Sequence, residues 1–144
     1  MAEIKDKTVL IVDDDPDVVT FITMALQEQG ARVFQAIDGS QAVDVCEKEN
    51  SDLVILDMML PKRSGFLVLE RIKKGKPKHA KPRVIMITGN LGSRHKTYAE
   101  TLGVDDYINK PYRMDRLLSS IEKILSAPPP APGTDEHERA TALG

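Results

Sequence analysis

The chain has 144 residues, 41% of them hydrophobic, and a net charge of −2. That is one ordinary domain with enough apolar material for a core. It has no run of 18 apolar residues to cross a bilayer, and its charge is too balanced to argue for or against a nucleic-acid partner.

Met1 to Lys7 is polar and lacks the apolar stretch of a signal peptide. Val9-Leu10-Ile11-Val12 follows and runs into Asp13-Asp14-Asp15, which predicts a strand over 8–12 that ends on acids. Asp15-Pro16 reads as an N-cap with proline at the first helical position. It opens a helix over 16–29 whose apolar stripe is Val18, Ile22, Ala25 and Leu26, with Gly30 as its stop. A strand over 32–36, an Asp38-Gly39 turn and a helix over 39–49 come next. Cys46, the only cysteine, sits on that helix as a small buried hydrophobe. A single thiol forms no intramolecular disulfide, which suits a reducing cytoplasm.

Leu53-Val54-Ile55-Leu56-Asp57 is a second apolar run that ends on a carboxylate, giving a strand over 53–57. Ser64 caps a helix over 64–74. A strand over 83–87 delivers Thr88, a helix over 93–102 stops at Gly103, and a strand over 105–108 leads to Asn109-Lys110-Pro111. The last helix, 113–125, buries Met114, Leu117, Leu118 and Ile121, with Ile124 or Leu125 extending the face. Residues 126–144 carry Pro128-Pro129-Pro130 and Pro132-Gly133 and read as a disordered tail or linker.

Strands alternating with helices in five units imply a parallel sheet with helices on both faces. Ligands of such sheets bind outside the carboxyl ends of the strands. Asp13, Asp14 and Asp57 are therefore expected at one edge. Two unit charges about 4 Å apart repel by roughly 1–4 kcal/mol, so three carboxylates there need compensation. A hard divalent cation supplies it, and Mg²⁺ takes few carboxylates and accepts phosphate oxygens. Lys110 adds a cation, aimed into the pocket by a cis Lys110–Pro111 bond, and Thr88 adds a hydroxyl. A nucleophilic carboxylate, a metal, a hydroxyl and a cation make up a phosphoryl-transfer set.

The motifs Val12-Asp13-Asp14-Asp15-Pro16, Leu56-Asp57-Met58-Met59-Leu60-Pro61 with Gly65, Ile87-Thr88-Gly89, and Gly103-Val104-Asp105-Asp106-Tyr107-Ile108-Asn109-Lys110-Pro111-Tyr112 closely resemble the receiver domain of two-component response regulators. The similarity covers residues 7–125. It implies an α/β, flavodoxin-like fold, with a doubly wound five-stranded parallel sheet in the order 2-1-3-4-5 and five helices. Residues 1–125 would form the receiver and 126–144 a tail. The resemblance makes Asp57 the phosphoacceptor, supplied by a histidine kinase or phosphotransfer protein. It makes Asp14 and Asp57 direct Mg²⁺ ligands, with Asp13 acting through water and the Met59 backbone carbonyl completing the set. It makes Thr88 the hydroxyl that closes on the phosphoryl group, Lys110 its counter-cation and Tyr107 the switch aromatic. Leu60 stands where methionine is commoner, a volume-conserving swap. Met59 and Asn90 occupy positions that influence the lifetime of the acyl phosphate.

The expected output is a switched surface on the fourth helix, fifth strand and fifth helix, which binds a downstream protein. The protein would be a monomer or a phosphorylation-dependent dimer, cytoplasmic, with no membrane contact and no direct nucleic-acid binding. An alternative is the excised receiver of a DNA-binding transcription regulator. A phosphatase with an aspartyl intermediate lacks a substrate pocket in the sequence, and a degenerate binding module would not keep the full acidic set. His79, His95 and His137 are scattered and read as surface residues, and Tyr98 as a partial packing contact. Residues 62–83 hold nine Lys/Arg against one acid, Glu70. That stretch is either a solvated helix end or a docking surface for an acidic or phosphate-rich partner.

Overall fold

Hydrophobic runs with residues of both parities buried are what a sheet covered on both faces requires. The computed structural model describes residues 4–60, 64–77, 79–89 and 93–126. It has five strands, β1 (Thr8–Val12), β2 (Arg32–Ala36), β3 (Leu53–Asp57), β4 (Arg83–Gly89) and β5 (Asp106–Lys110). They form one parallel sheet in the order β2-β1-β3-β4-β5, as expected. The helices are α1 (Pro16–Glu28), α2 (Gly39–Glu49), α3 (Gly65–Lys73), α4 (Ser93–Thr101) and α5 (Met114–Ser126).

Strand side chains alternate between faces, and they divide the core in two. Leu10, Val12, Val54, Leu56, Val84 and Met86 pack with Ala42, Val68 and Leu69 of α2 and α3. Val9, Ile11, Leu53, Ile55, Ile85 and Ile87 pack with Ile22 and Leu26 of α1 and Leu117 and Ile121 of α5. Burying each such aliphatic side chain is worth about 1.5–3 kcal/mol, so the sheet is anchored from both sides.

Asp15 caps α1, Asp38 caps α2 and Ser64 caps α3 through side-chain oxygens that accept from Asp17, Gln41 and Leu67 amides. Gly30 and Gly103 take left-handed φ angles of 88° and 99°. On α1 the fully buried stripe is Val19, Ile22 and Leu26, and Val18 packs only partly buried beside it. The 3.6-residue period fits either valine, and packing against the sheet buries Val19. Ile124 extends the α5 face more deeply than Leu125. Cys46 is buried as expected. Residues 127–144, including His137, lie outside the described residues, as do Pro61 and Asn90. No described helix is long and apolar enough to cross a membrane.

The basic stretch is not uniformly solvated. Lys73 is 5% exposed, and its Nζ donates to the carbonyls of Ala80 (2.7 Å) and Pro82 (3.0 Å). Burial pushes its ammonium below the ordinary lysine range, against the opposing charge of Asp105. Asp105 in turn accepts from Arg83 Nε and the Val84 amide, each at 2.8 Å, and from exposed His79 Nδ1 at 2.7 Å. Lys73 is therefore a staple between α3 and the entry to β4. Lys73→Met keeps most of the packing but leaves the part-buried Ala80 carbonyl and the buried Pro82 carbonyl without their donor. The expected cost is about 1–3 kcal/mol, read as a lower urea midpoint at unchanged slope. An unchanged midpoint would mean that these carbonyls find other donors.

Candidate functional site

Parallel register brings the acids together. Val12 pairs with Leu56, so the next residues, Asp13 and Asp57, leave the sheet side by side. Both are buried, at 3% and 5% exposure, and Asp14 is exposed beside them. Each of the three offers a carboxylate oxygen, and the three oxygens lie within 4.8 Å of one another. Each loop uses its own acid to hold its shape. Asp13 Oδ1 accepts from the Asp15 amide at 2.9 Å, and Asp57 Oδ1 accepts from the Met59 amide at 3.0 Å. The Met59 side chain points to solvent, 65% exposed.

Lys110 reaches this corner from two strands away. Its Nζ lies 3.4 Å from Asp57 Oδ2 and 4.0 Å from Asp13 Oδ2, and the Lys110–Pro111 peptide is cis, as expected. One ammonium does not balance three acids. Burial, then repulsion from Asp57 and Asp14, keeps the Asp13 carboxyl above its ordinary range, although the Asp15 amide and Lys110 pull the other way. The surplus negative charge, the oxygen-only donors and their spacing fit a hard divalent cation.

Thr88 was expected just past the end of β4, and Lys110 just past β5. Both lie within their strands, because Thr88 pairs with Asn109 and Gly89 with Lys110. The ladder thus runs two residues further on β4 than the apolar run suggests. Thr88 is fully buried, and Tyr107, on the adjacent strand, is 7% exposed. Neither hydroxyl makes a well-formed hydrogen bond. Burial raises the Tyr107 phenol, and the Thr88 hydroxyl within its reach partly offsets this. The two residues expected to move together are thus neighbours whose hydroxyls lie close to one another.

A receiver model, described as the response regulator receiver domain, matches residues 9–122. The chain belongs to this family. It is similar in structure to a CheY-like receiver from Methanospirillum hungatei JF-1, with 29% identity, 85% of this chain and 95% of that one covered, and a TM-score of 0.77. The BeF3-activated N-terminal receiver of Klebsiella pneumoniae RstA gives 26%, 84%, 100% and 0.75. The non-phosphorylated HemR receiver of Leptospira biflexa gives 26%, 87%, 98% and 0.79. The protein is thus a receiver of two-component signalling.

Two features of this receiver's corner escaped the residue-by-residue reading. The Tyr112 phenol is raised by burial and then by the charges of Asp13 and Asp57, so it feels the acidic corner. Its position two residues after Lys110 was the available signal. His95 is also not a plain surface residue. Its ring stacks on Phe66 with centroids 6.0 Å apart, and its Nδ1 is buried without a partner. Phe66 meets Tyr98 edge-on at 5.1 Å, the partial packing expected of Tyr98. Only the aromatic at the start of α3 hinted at this cluster.

Proposed function

We propose that Asp57 accepts a phosphoryl group from a histidine kinase or phosphotransfer protein. On this reading the domain is a signalling switch in the cytoplasm and not an enzyme that turns over a small substrate. The observation that carries the proposal is the setting of Asp57. It is a buried carboxylate with one oxygen held by the Met59 amide, the other facing Lys110, and two more carboxylates alongside. The likeness to an RstA receiver that is BeF3-activated adds support.

A carboxylate oxygen of Asp57 attacks phosphorus in line with the donor's P–N bond, and that bond's electron pair stays on the departing nitrogen. The Met59 amide fixes the rotamer of the nucleophile. Lys110 faces the oxygen on which charge develops. Asp14, Asp57 and the Met59 carbonyl would hold Mg²⁺ directly and Asp13 through water, and the bound metal would supply positive charge for the transfer. The new group adds about −1.5 to −2 charge. The Thr88 hydroxyl, which has only the Tyr107 hydroxyl close by, gains a charged partner by moving toward the phosphoryl group. Tyr107 fills the space that Thr88 leaves, and the α4–β5–α5 surface shifts to a form that a downstream protein binds. The test is intact-protein mass after incubation with acetyl phosphate. One phosphoryl adduct is expected with Mg²⁺ and none without it. A receiver that gains no adduct, even from a cognate kinase, would contradict the proposal.

The crowded acids give a second expectation. An acid whose folded-state pKa is raised costs stability wherever it is ionised, so removing its charge stabilises the empty site. Asp13→Asn should therefore raise the melting temperature of the metal-free protein and blunt its response to Mg²⁺. In wild type, Mg²⁺ at 100 times its Kd should add about 2.7 kcal/mol. A melting scan of both proteins with and without Mg²⁺ checks this, and an Asp13→Asn protein that keeps the full Mg²⁺ response would remove Asp13 from the ligand set.

A further inference from the structure

The nine cations of residues 62–83 have separate fates. Lys73 is the buried staple, Lys81 pairs with Asp52 at 3.2 Å and Arg83 pairs with Asp105. Lys62, Arg63 and Lys78 lie outside the described residues. Arg71, Lys74 and Lys76 remain. All three are exposed, and none makes an ion pair with a described acid.

These three converge on one cavity at the amino ends of the strands, the opposite edge from Asp57. It opens between the C-terminal ends of α2 and α3. Cys46 and Ser51 line it, and Glu47 is its one carboxylate. The same three cations also border the adjoining groove between α3 and α4, so their charge faces both clefts. Cations near a helix C-terminus are ordinary. A second, independent feature makes this more than a solvated helix end. Ser51 is 2% exposed, and its hydroxyl makes no well-formed hydrogen bond, with only the weakly accepting Cys46 thiol close to it. A buried hydroxyl without a good acceptor is destabilising, and an incoming oxygen removes that cost. The cations bear on the interior of the cavity as well as its rim. Burial raises the Cys46 thiol, and the charge of Lys76 is the largest influence opposing it.

We propose that this cavity binds the phosphate group of a small phosphomonoester. Arg71, Lys74 and Lys76 would supply charge and the Ser51 hydroxyl one oriented donor. A phosphomonoester matches this set through its near-double negative charge and three acceptor oxygens, and Arg71 can engage two of them at once. The site is separate from the Asp57 corner, so it stands or falls independently of phosphorylation.

The test uses the full chain without Mg²⁺ and with a chelator, which removes metal-dependent binding at Asp57. Inorganic phosphate and adenosine monophosphate are titrated in turn at constant ionic strength and followed by amide NMR. The expected result is saturable shifts confined to residues 46–51 and 71–76. Ser51→Ala should keep or gain thermal stability while binding about fivefold more weakly. The exposed pair Lys74→Glu and Lys76→Glu together should weaken binding about tenfold or more. Tighter binding of adenosine monophosphate would assign the site to an esterified phosphate, and equal binding to the phosphate group alone. Unsaturable or dispersed shifts, or an undiminished affinity in Ser51→Ala, would overturn the proposal.

Discussion

Asp57→Asn is expected to abolish phosphorylation by acetyl phosphate and by any cognate kinase, while the protein stays folded. The substitution is nearly isosteric. It leaves an oxygen to accept from the Met59 amide but removes the nucleophile and the partner of Lys110. It also relieves repulsion with Asp13 and Asp14, so stability should hold or rise. Intact mass with peptide mapping checks the outcome. A phosphoryl group found on another residue of the folded variant would sink the assignment of Asp57.

Gly65→Ala should damage both the fold and the site. A Cβ at Gly65 would lie 2.6 Å from Met58 Cα and 2.8 Å from the Asp57 carbonyl oxygen. Both are backbone atoms and cannot turn aside. The Gly65 amide also donates to the Met58 carbonyl at 2.7 Å, so α3 begins hard against the loop that carries the phosphoacceptor. Accommodating a methyl pushes that loop away and weakens the hydrogen bond. The expected loss is about 1–3 kcal/mol, accompanied by slower phosphorylation because Asp57 and Met59 move. Gly89→Ala is the matched control. It lies close to the same corner, its Cβ would meet nothing within 4 Å, and its effect should stay within about 0.5 kcal/mol. Denaturant midpoints of the two variants decide the matter, and equal midpoints would show that the α3 approach is soft.

Much of this was legible from residue types. The runs Val9–Val12 and Leu53–Leu56 are apolar at both parities because helices cover both faces of their strands. Caps at Asp15, Asp38 and Ser64 are local signals, since each oxygen reaches an amide two or three residues on. Less local matters were hidden. Lys73 and Lys74 are neighbours in sequence, but Lys73 is the last residue of α3 and Lys74 caps it with φ −57° and ψ 126°, outside the helix. One is a buried staple and the other lines a cavity. The half-buried state of His95 depends on Phe66, 29 positions away, and no periodicity reports such a meeting.

Residue types alone mark which chemical groups stand at the strand ends: acids after β1 and at the end of β3, a hydroxyl on β4 and an ammonium on β5. The hydrophobic runs stop within two residues of the strand ends, so polarity marks those ends closely without any knowledge of the fold. That these groups form one site follows from strand pairing and order. The pairing of Val12 with Leu56 sets Asp13 level with Asp57, and a slip in that pairing would part them. β5 lies two strand spacings from β3, about 9–10 Å. The long lysine stem crosses that gap to bring Nζ within 3.4 Å of Asp57. Register and strand order arise from the whole hydrophobic core packing at once, and no single segment carries that information.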